Sequence, residues 1–194
     1  MMNLWNANAE DLTKKTGTKE RFQNSGIYEV KIKEAFISDS TKSQAKAITI
    51  VLETEENYGR VNFWFLKGDG TENEFARTTL NRMMYLLKLK ADKLKIESKK
   101  IKNYKGEEIE RAFLPELEGK NIGVILNVKI DGDQINFDVK DFFDIKSKKT
   151  SDEILNKTEA YTVEFFTKKY AQEVEKYSND ETVETTEDDD EFPF

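Results

Sequence analysis

The 194-residue chain contains no cysteine and no histidine. Without cysteine there is no disulfide framework, no thiolate nucleophile and no sulfur-ligated metal. Without histidine, Ser/His/Asp and Cys/His catalysis and the usual zinc sites fall away, leaving carboxylate, lysine, tyrosine or hydroxyl chemistry. Glycine-rich phosphate cradles are missing too: Gly68-Asp69-Gly70 lacks the other positions of either nucleotide fingerprint. No run approaches the about 18 apolar residues that span a bilayer, and residues 1 to 15, polar apart from Leu4 and Trp5, lack the apolar core of a signal peptide. The expectation is a cytoplasmic protein with no enzymatic activity, no cofactor, no metal and no membrane contact.

Charge is present in quantity but unevenly placed. There are 31 basic and 38 acidic residues, and eight of the acids lie in residues 178–194 with no base among them, so residues 1–177 are close to neutral. Within that body, residues 77 to 106 hold ten lysines and arginines against Asp92 and Glu97. A basic segment joined to an acidic tail is the charge layout of a regulated polyanion binder.

Alternation over residues 27 to 37 predicts a half-buried strand with Tyr28, Val30, Ile32 and Phe36 on one side and Glu29, Lys31 and Lys33 on the other. A second strand is expected over 45 to 53 and a third over 61 to 66, where Val61, Phe63 and Phe65 oppose Asn62, Trp64 and Leu66. Thr71 and Glu74 read as a capping box for a helix from 72 to 89, with Phe75, Leu80, Met83, Met84 and Leu87 on its apolar face. Residues 90 to 111 suit a long loop or a mobile ribbon. Two further strands, 122 to 130 and 135 to 145, flank the turn signal Asp131-Gly132. Ser151 then caps a C-terminal helix that fades by Tyr177. Five strands, three before one helix and two after, is the element order of a five-stranded OB-fold-like Greek-key barrel, a mainly β fold. The organisation is a polar leader over 1–20, one domain over 21–177 and a disordered acidic tail over 178–194.

Three places could carry chemistry. The basic segment, with Tyr104 set among Lys99, Lys100, Lys102 and Lys105, reads either as a solvated face or as a phosphate-binding stretch with one ring to stack on a base. Trp64 lies opposite Phe63 and Phe65; it either packs beneath a helix or the leader, or faces outward near Arg60, Lys31 and Lys33 as a platform for unpaired bases. Asp131 and Asp133 flank a glycine as in a fragment of a calcium loop, but the remaining ligand positions are missing and Asp-Gly between alternating strands is a hairpin turn. Asp138 and Asp141 leave a two-metal nuclease as a rival reading.

The chain ends Asp188-Asp189-Asp190-Glu191-Phe192-Pro193-Phe194. This tip resembles that of bacterial single-stranded-DNA-binding proteins, where an aspartate run precedes an aliphatic residue, proline and a final phenylalanine; here Phe192 takes the aliphatic position and Glu191 is inserted before it. The body, from Ser25-Gly26-Ile27-Tyr28-Glu29-Val30 through Leu117-Glu118-Gly119-Lys120, resembles phage-encoded single-stranded-DNA-binding proteins of OB-fold type over about residues 20 to 145. The resemblance implies a protein that coats unpaired DNA in replication or recombination and recruits partner proteins through Phe194, Pro193 and the acids before them. A recombination mediator or strand-annealing protein shares this charge layout. Self-association is left open.

A tethered acidic tail competes with DNA for basic residues at a high effective concentration. Truncation after Tyr177 is therefore expected to tighten binding to unpaired DNA, while Phe194→Ala removes partner recruitment and leaves DNA affinity unchanged. Pull-down and titration at low salt check both; a truncation that changes neither would reduce the tail to a solubilising extension.

Overall fold

A computed structural model describes residues 19–102, 106–132 and 134–180. Over these residues the architecture is mainly β: eight strands in one mixed open sheet, with three α-helices. The strands are β1 (Glu20–Arg21), β2 (Gly26–Asp39), β3 (Lys46–Glu53), β4 (Asn57–Leu66), β5 (Glu97–Lys102), β6 (Glu108–Phe113), β7 (Asn121–Asp131) and β8 (Gln134–Phe143). The helices are α1 (Glu74–Leu86), α2 (Ser151–Leu155) and α3 (Tyr161–Asp180). Only the short β1–β4 pair is parallel. Five strands were expected; the structure adds β1 and, where a long loop or ribbon was expected over 90 to 111, the paired strands β5 and β6. No helix among the described residues is long and apolar enough to cross a membrane.

The 14-residue strand β2 belongs to two ladders. Its first half pairs with β7, from Gly26 opposite Leu126 to Lys31 opposite Asn121. Its second half pairs with β3 and meets β6 where Phe36 faces Phe113. A bulge between Ile32 and Glu34 separates the halves. One extra residue in a strand of period two moves every later side chain to the other face. Val30 and Ile32 therefore point into the core, as does Ala35 after the bulge, whereas Phe36 turns to the opposite face. The sequence grouped Phe36 with Tyr28, Val30 and Ile32; the bulge corrects that grouping.

The main core lies between the sheet and α1. Phe22, Ile32, Leu52, Met83, Leu117, Val124 and Phe142 are each at most 1 % exposed. A second layer forms where Ile125, Phe143 and Tyr170 pack with Ile27, Val163 and Phe166 beneath α3. Gly123 is required there, because a Cβ at this position would collide with the Phe143 ring. Burial pushes the Tyr170 hydroxyl up to about 12.

The helix starts differ from those read in the sequence. Asn73 caps α1 by accepting from Ala76 N, while the Thr71 hydroxyl donates to Asp69 Oδ1 at 2.7 Å and is not available as a cap. Phe75, expected on the buried face, is 73 % exposed. Thr150 rather than Ser151 caps α2, in a capping box with Glu153. The C-terminal helix is two helices, broken where Lys157 takes φ 56°.

Glu153 joins the pieces. Its Oε2 accepts from Thr150 N at 2.8 Å, and its Oε1 accepts from Tyr161 N, Thr162 N and the Thr162 hydroxyl at 2.9, 2.7 and 2.8 Å. One buried carboxylate thus satisfies first-turn amides of α2 and α3 together. Burial would raise its pKa; the bonds from Thr150 and Thr162 outweigh it and hold the group below the usual carboxylate range. A depressed folded pKa contributes stability above the unfolded value that is lost as pH falls through the folded one. Glu153→Ala is expected to cost about 2 to 3 kcal/mol at neutral pH, with a smaller cost at pH 3. Urea denaturation at both values checks this; an equal cost at both would contradict it.

Candidate nucleic-acid interface

The bulge in β2 and the alternation of β3 and β4 assemble an outer sheet face in rows set by register. Lys31 aligns with Glu53 and Tyr58; Glu34 with Val51 and Arg60; Phe36 with Thr49 and Asn62; Ser38 with Ala47 and Trp64. Strand β4 therefore presents Tyr58, Arg60, Asn62 and Trp64 on one side, at intervals of roughly 7 Å. Trp64 is 40 % exposed and Tyr58 37 %. Trp64 faces outward on the same side as Arg60, with Lys31 at the opposite end of the face.

Phe36 is the floor of this face, at 1 % exposure. Its ring lies 5.8 Å from that of Phe113, and Val51 and Ile101 complete the small cluster. Two guanidinium groups cover it: the Arg111 carbon lies 4.2 Å from the Phe36 centroid and that of Arg60 5.8 Å away. Lys99 Nζ stands 5.3 Å from the centroid of Phe113. Stacking on aromatic faces holds these cations at about 0.5 to 2 kcal/mol each. Neither arginine forms an ion pair among the described residues. Burial, and then the like charge of Arg60, push the Arg111 guanidinium below its ordinary pKa, with only partial relief from Glu34. Two cations held together without a carboxylate bond are repaid when an anion binds between them.

Beside this face runs a groove of about 510 Å³ between β4 and the start of β8, lined by Arg21, Tyr58, Arg60, Asn62, Trp64 and Phe137 among others. Among the described residues that line it are two arginines and no acid. A larger cavity, about 700 Å³, sets Glu29, Glu53, Glu55 and Glu56 against Lys19 and Lys31. Its excess of carboxylates makes it the poorer host for a polyanion, so the groove at Trp64 is the candidate site.

The residues singled out in the sequence divide accordingly. Arg60, Trp64 and Lys99 come together on the outer face. Lys31 and Lys33 stand around Glu53, whose carboxyl is held below its usual range chiefly by a hydrogen bond from Lys19 at 2.8 Å. Lys100 and Lys102 pair across the ribbon with Glu110 and Glu108, on the side away from Lys99 and Arg111. Lys99 in turn pairs with Glu97 at 3.5 Å, so most of the positive charge of β5 and β6 is offset locally. Tyr104 and Lys105, Asp133, and the tail residues Asp188, Asp189, Asp190, Glu191, Phe192, Pro193 and Phe194 lie outside the described residues. Asp138 bonds Lys140, whereas Asp141 takes Arg82 and the Phe142 amide. Burial raises the Asp141 pKa against those two bonds. The described residues contain no group of three acids placed to hold a metal ion.

Arg111, Tyr58, Arg21 and the floor residue Phe36 were not foreseen as site residues. Tyr58, Arg60, Asn62 and Trp64 recur with period two, and that was the available signal. The chain matches no protein-family model and no curated protein.

An anion seated between the arginines stabilises the folded state by mass action. Pyrophosphate is expected to raise the thermal midpoint of the protein, and Arg111→Gln to remove that increment. Scanning fluorimetry across a pyrophosphate series checks it; an undiminished increment in the variant would contradict the assignment.

Proposed function

We propose that this chain is a non-enzymatic single-stranded-DNA-binding protein, tolerant of sequence along most of its contact length, that uses the outer face of β3, β4 and β6. The observation that carries the proposal is the exposed row of Tyr58, Arg60, Asn62 and Trp64 beside Arg111, with neither arginine in an ion pair among the described residues. Aromatic rings take the faces of unpaired bases, and cations take the phosphates by releasing counterions. A duplex hides base faces in its stack, so exposed rings favour the single strand.

The fold reading that accompanies this is an OB-like barrel. Its support is the order of elements: the meander β2–β3–β4, then α1, then the β7–β8 hairpin returning beside the first half of β2. The β5–β6 ribbon is then an insertion between α1 and β7, and it brings Arg111 and Lys99 to the barrel face. Replication or recombination as the setting, a phage origin, and recruitment of partner proteins through Phe194 rest on the resemblance of the sequence.

Titration of labelled oligonucleotides tests the proposal. Affinity for unpaired DNA is expected to exceed that for duplex and to fall with salt by about 0.7 logarithmic units per phosphate engaged. Trp64→Ala is expected to weaken binding by about 1 to 3 kcal/mol, with the thermal midpoint unchanged because the ring is exposed. Preference for duplex, or binding indifferent to salt, would overturn the proposal.

A further inference from the structure

Past Trp64 the groove continues into a smaller cavity of about 150 Å³ between β4, the start of α1 and β8. Its walls include the rings of Trp64, Phe75 and Phe137. Phe75 stands 73 % exposed on the first turn of α1, where an apolar ring contributes little to the core. A cavity near 150 Å³ with apolar walls is the size that takes up a benzene-sized ring. A six-membered ring is of the size to enter it.

The polar lining narrows the choice. Asn62 Oδ1 already accepts from the Thr49 hydroxyl at 2.8 Å, within a chain that continues to Ser38 Oγ at 2.7 Å. Asn73 Oδ1 already accepts from Ala76 N as the cap of α1. With both oxygens engaged, what these side chains have left to give a ligand is their amide N–H donors. The Thr79 hydroxyl donates to Phe75 O and is spent within the helix. Asp138 supplies an acceptor, one of its oxygens being held by Lys140 at 2.6 Å. The lining thus combines two amide side chains and one carboxylate with aromatic walls.

We propose that this cavity is a selective base pocket for a 2,4-dioxopyrimidine ring, that of thymine or uracil. This rests on the reading of the chain as a single-strand binder. The two ring carbonyls accept from Asn62 and Asn73, and the N3–H between them donates to Asp138. Cytosine would set its N3 lone pair against the Asp138 carboxylate and its exocyclic amine against an amide donor. The strand as a whole is bound without regard to sequence, and this one position prefers thymine or uracil.

Anisotropy titration of the full-length protein with oligo(dT) and oligo(dC) tests the pocket, since the two pyrimidines are matched in ring size. Oligo(dT) is expected to bind about tenfold more tightly, within the range of one well-made base contact. Oligo(rU) against oligo(rC) separates the sources of the ring: the same ratio with both sugars assigns the preference to the base, as proposed. Asp138→Asn and Asn73→Ser are expected to bring the ratio towards one; serine still caps α1, and a ratio is insensitive to the charge that Asp138→Asn removes. Equal affinity for oligo(dT) and oligo(dC) in the wild type, or a ratio unchanged in both variants, would overturn the pocket while leaving single-strand binding intact. Failure to bind any of the four oligonucleotides would overturn the functional reading and the pocket together.

Discussion

The bulge between Ile32 and Glu34 is the constraint on which the outer face depends. Strand β2 must keep Val30 and Ile32 in the core where it pairs with β7, and Ala35 in the core where it pairs with β3. A regular strand cannot place both sets inward, because 32 and 35 differ by an odd number of residues. The extra residue, Lys33, resolves the conflict, and its consequence is that Phe36 emerges on the other side. A phenylalanine at 1 % exposure outside the main core needs a covering, and Val51, Phe113 and Arg111 provide it. The floor of the candidate site is thus a by-product of how the core is satisfied.

The same economy runs through the charges. Where a carboxylate is present, the basic residues are absorbed into structure: Lys19, Lys31 and Lys33 around Glu53, Arg82 on Asp141, and Lys100 and Lys102 opposite Glu110 and Glu108. Arg60 and Arg111 are held instead on Phe36, an aromatic face that orients a cation without neutralising it. Their charge stays available to a ligand, at the cost of mutual repulsion and partial burial. Net charge, −7 for the whole chain, conceals this, since a face with local positive excess coexists with an acidic C-terminal segment.

Much of the sheet was legible because a half-buried strand writes its two faces into alternate positions. Strands β2, β4 and β8 do so, while β3 and β7 show it in part, each having a central run buried on both faces. The bulge was not legible: a single inserted residue leaves the composition of the run unchanged and shows only in the pairing with Val51 and Leu52. Strands β5 and β6 carry lysine and glutamate in place of apolar residues, and cross-strand charge pairs stand where a hydrophobic pattern would have betrayed them. Phe75 fitted the three- and four-residue spacing of the α1 core face, yet at the first turn the sheet no longer covers it. Arg111 escaped notice because its significance lies in Phe36, remote in sequence and adjacent only through the β2–β6 pairing.

The central claim is that Trp64 meets an unpaired base, and its own emission reports this most directly. The chain has two tryptophans, so Trp5→Phe leaves Trp64 as the only one. Titrating that variant with oligo(dT), while anisotropy of the labelled strand records binding, is predicted to quench the Trp64 emission in proportion to occupancy and to restore it as salt releases the strand. Full occupancy by anisotropy with Trp64 emission unchanged would contradict the account.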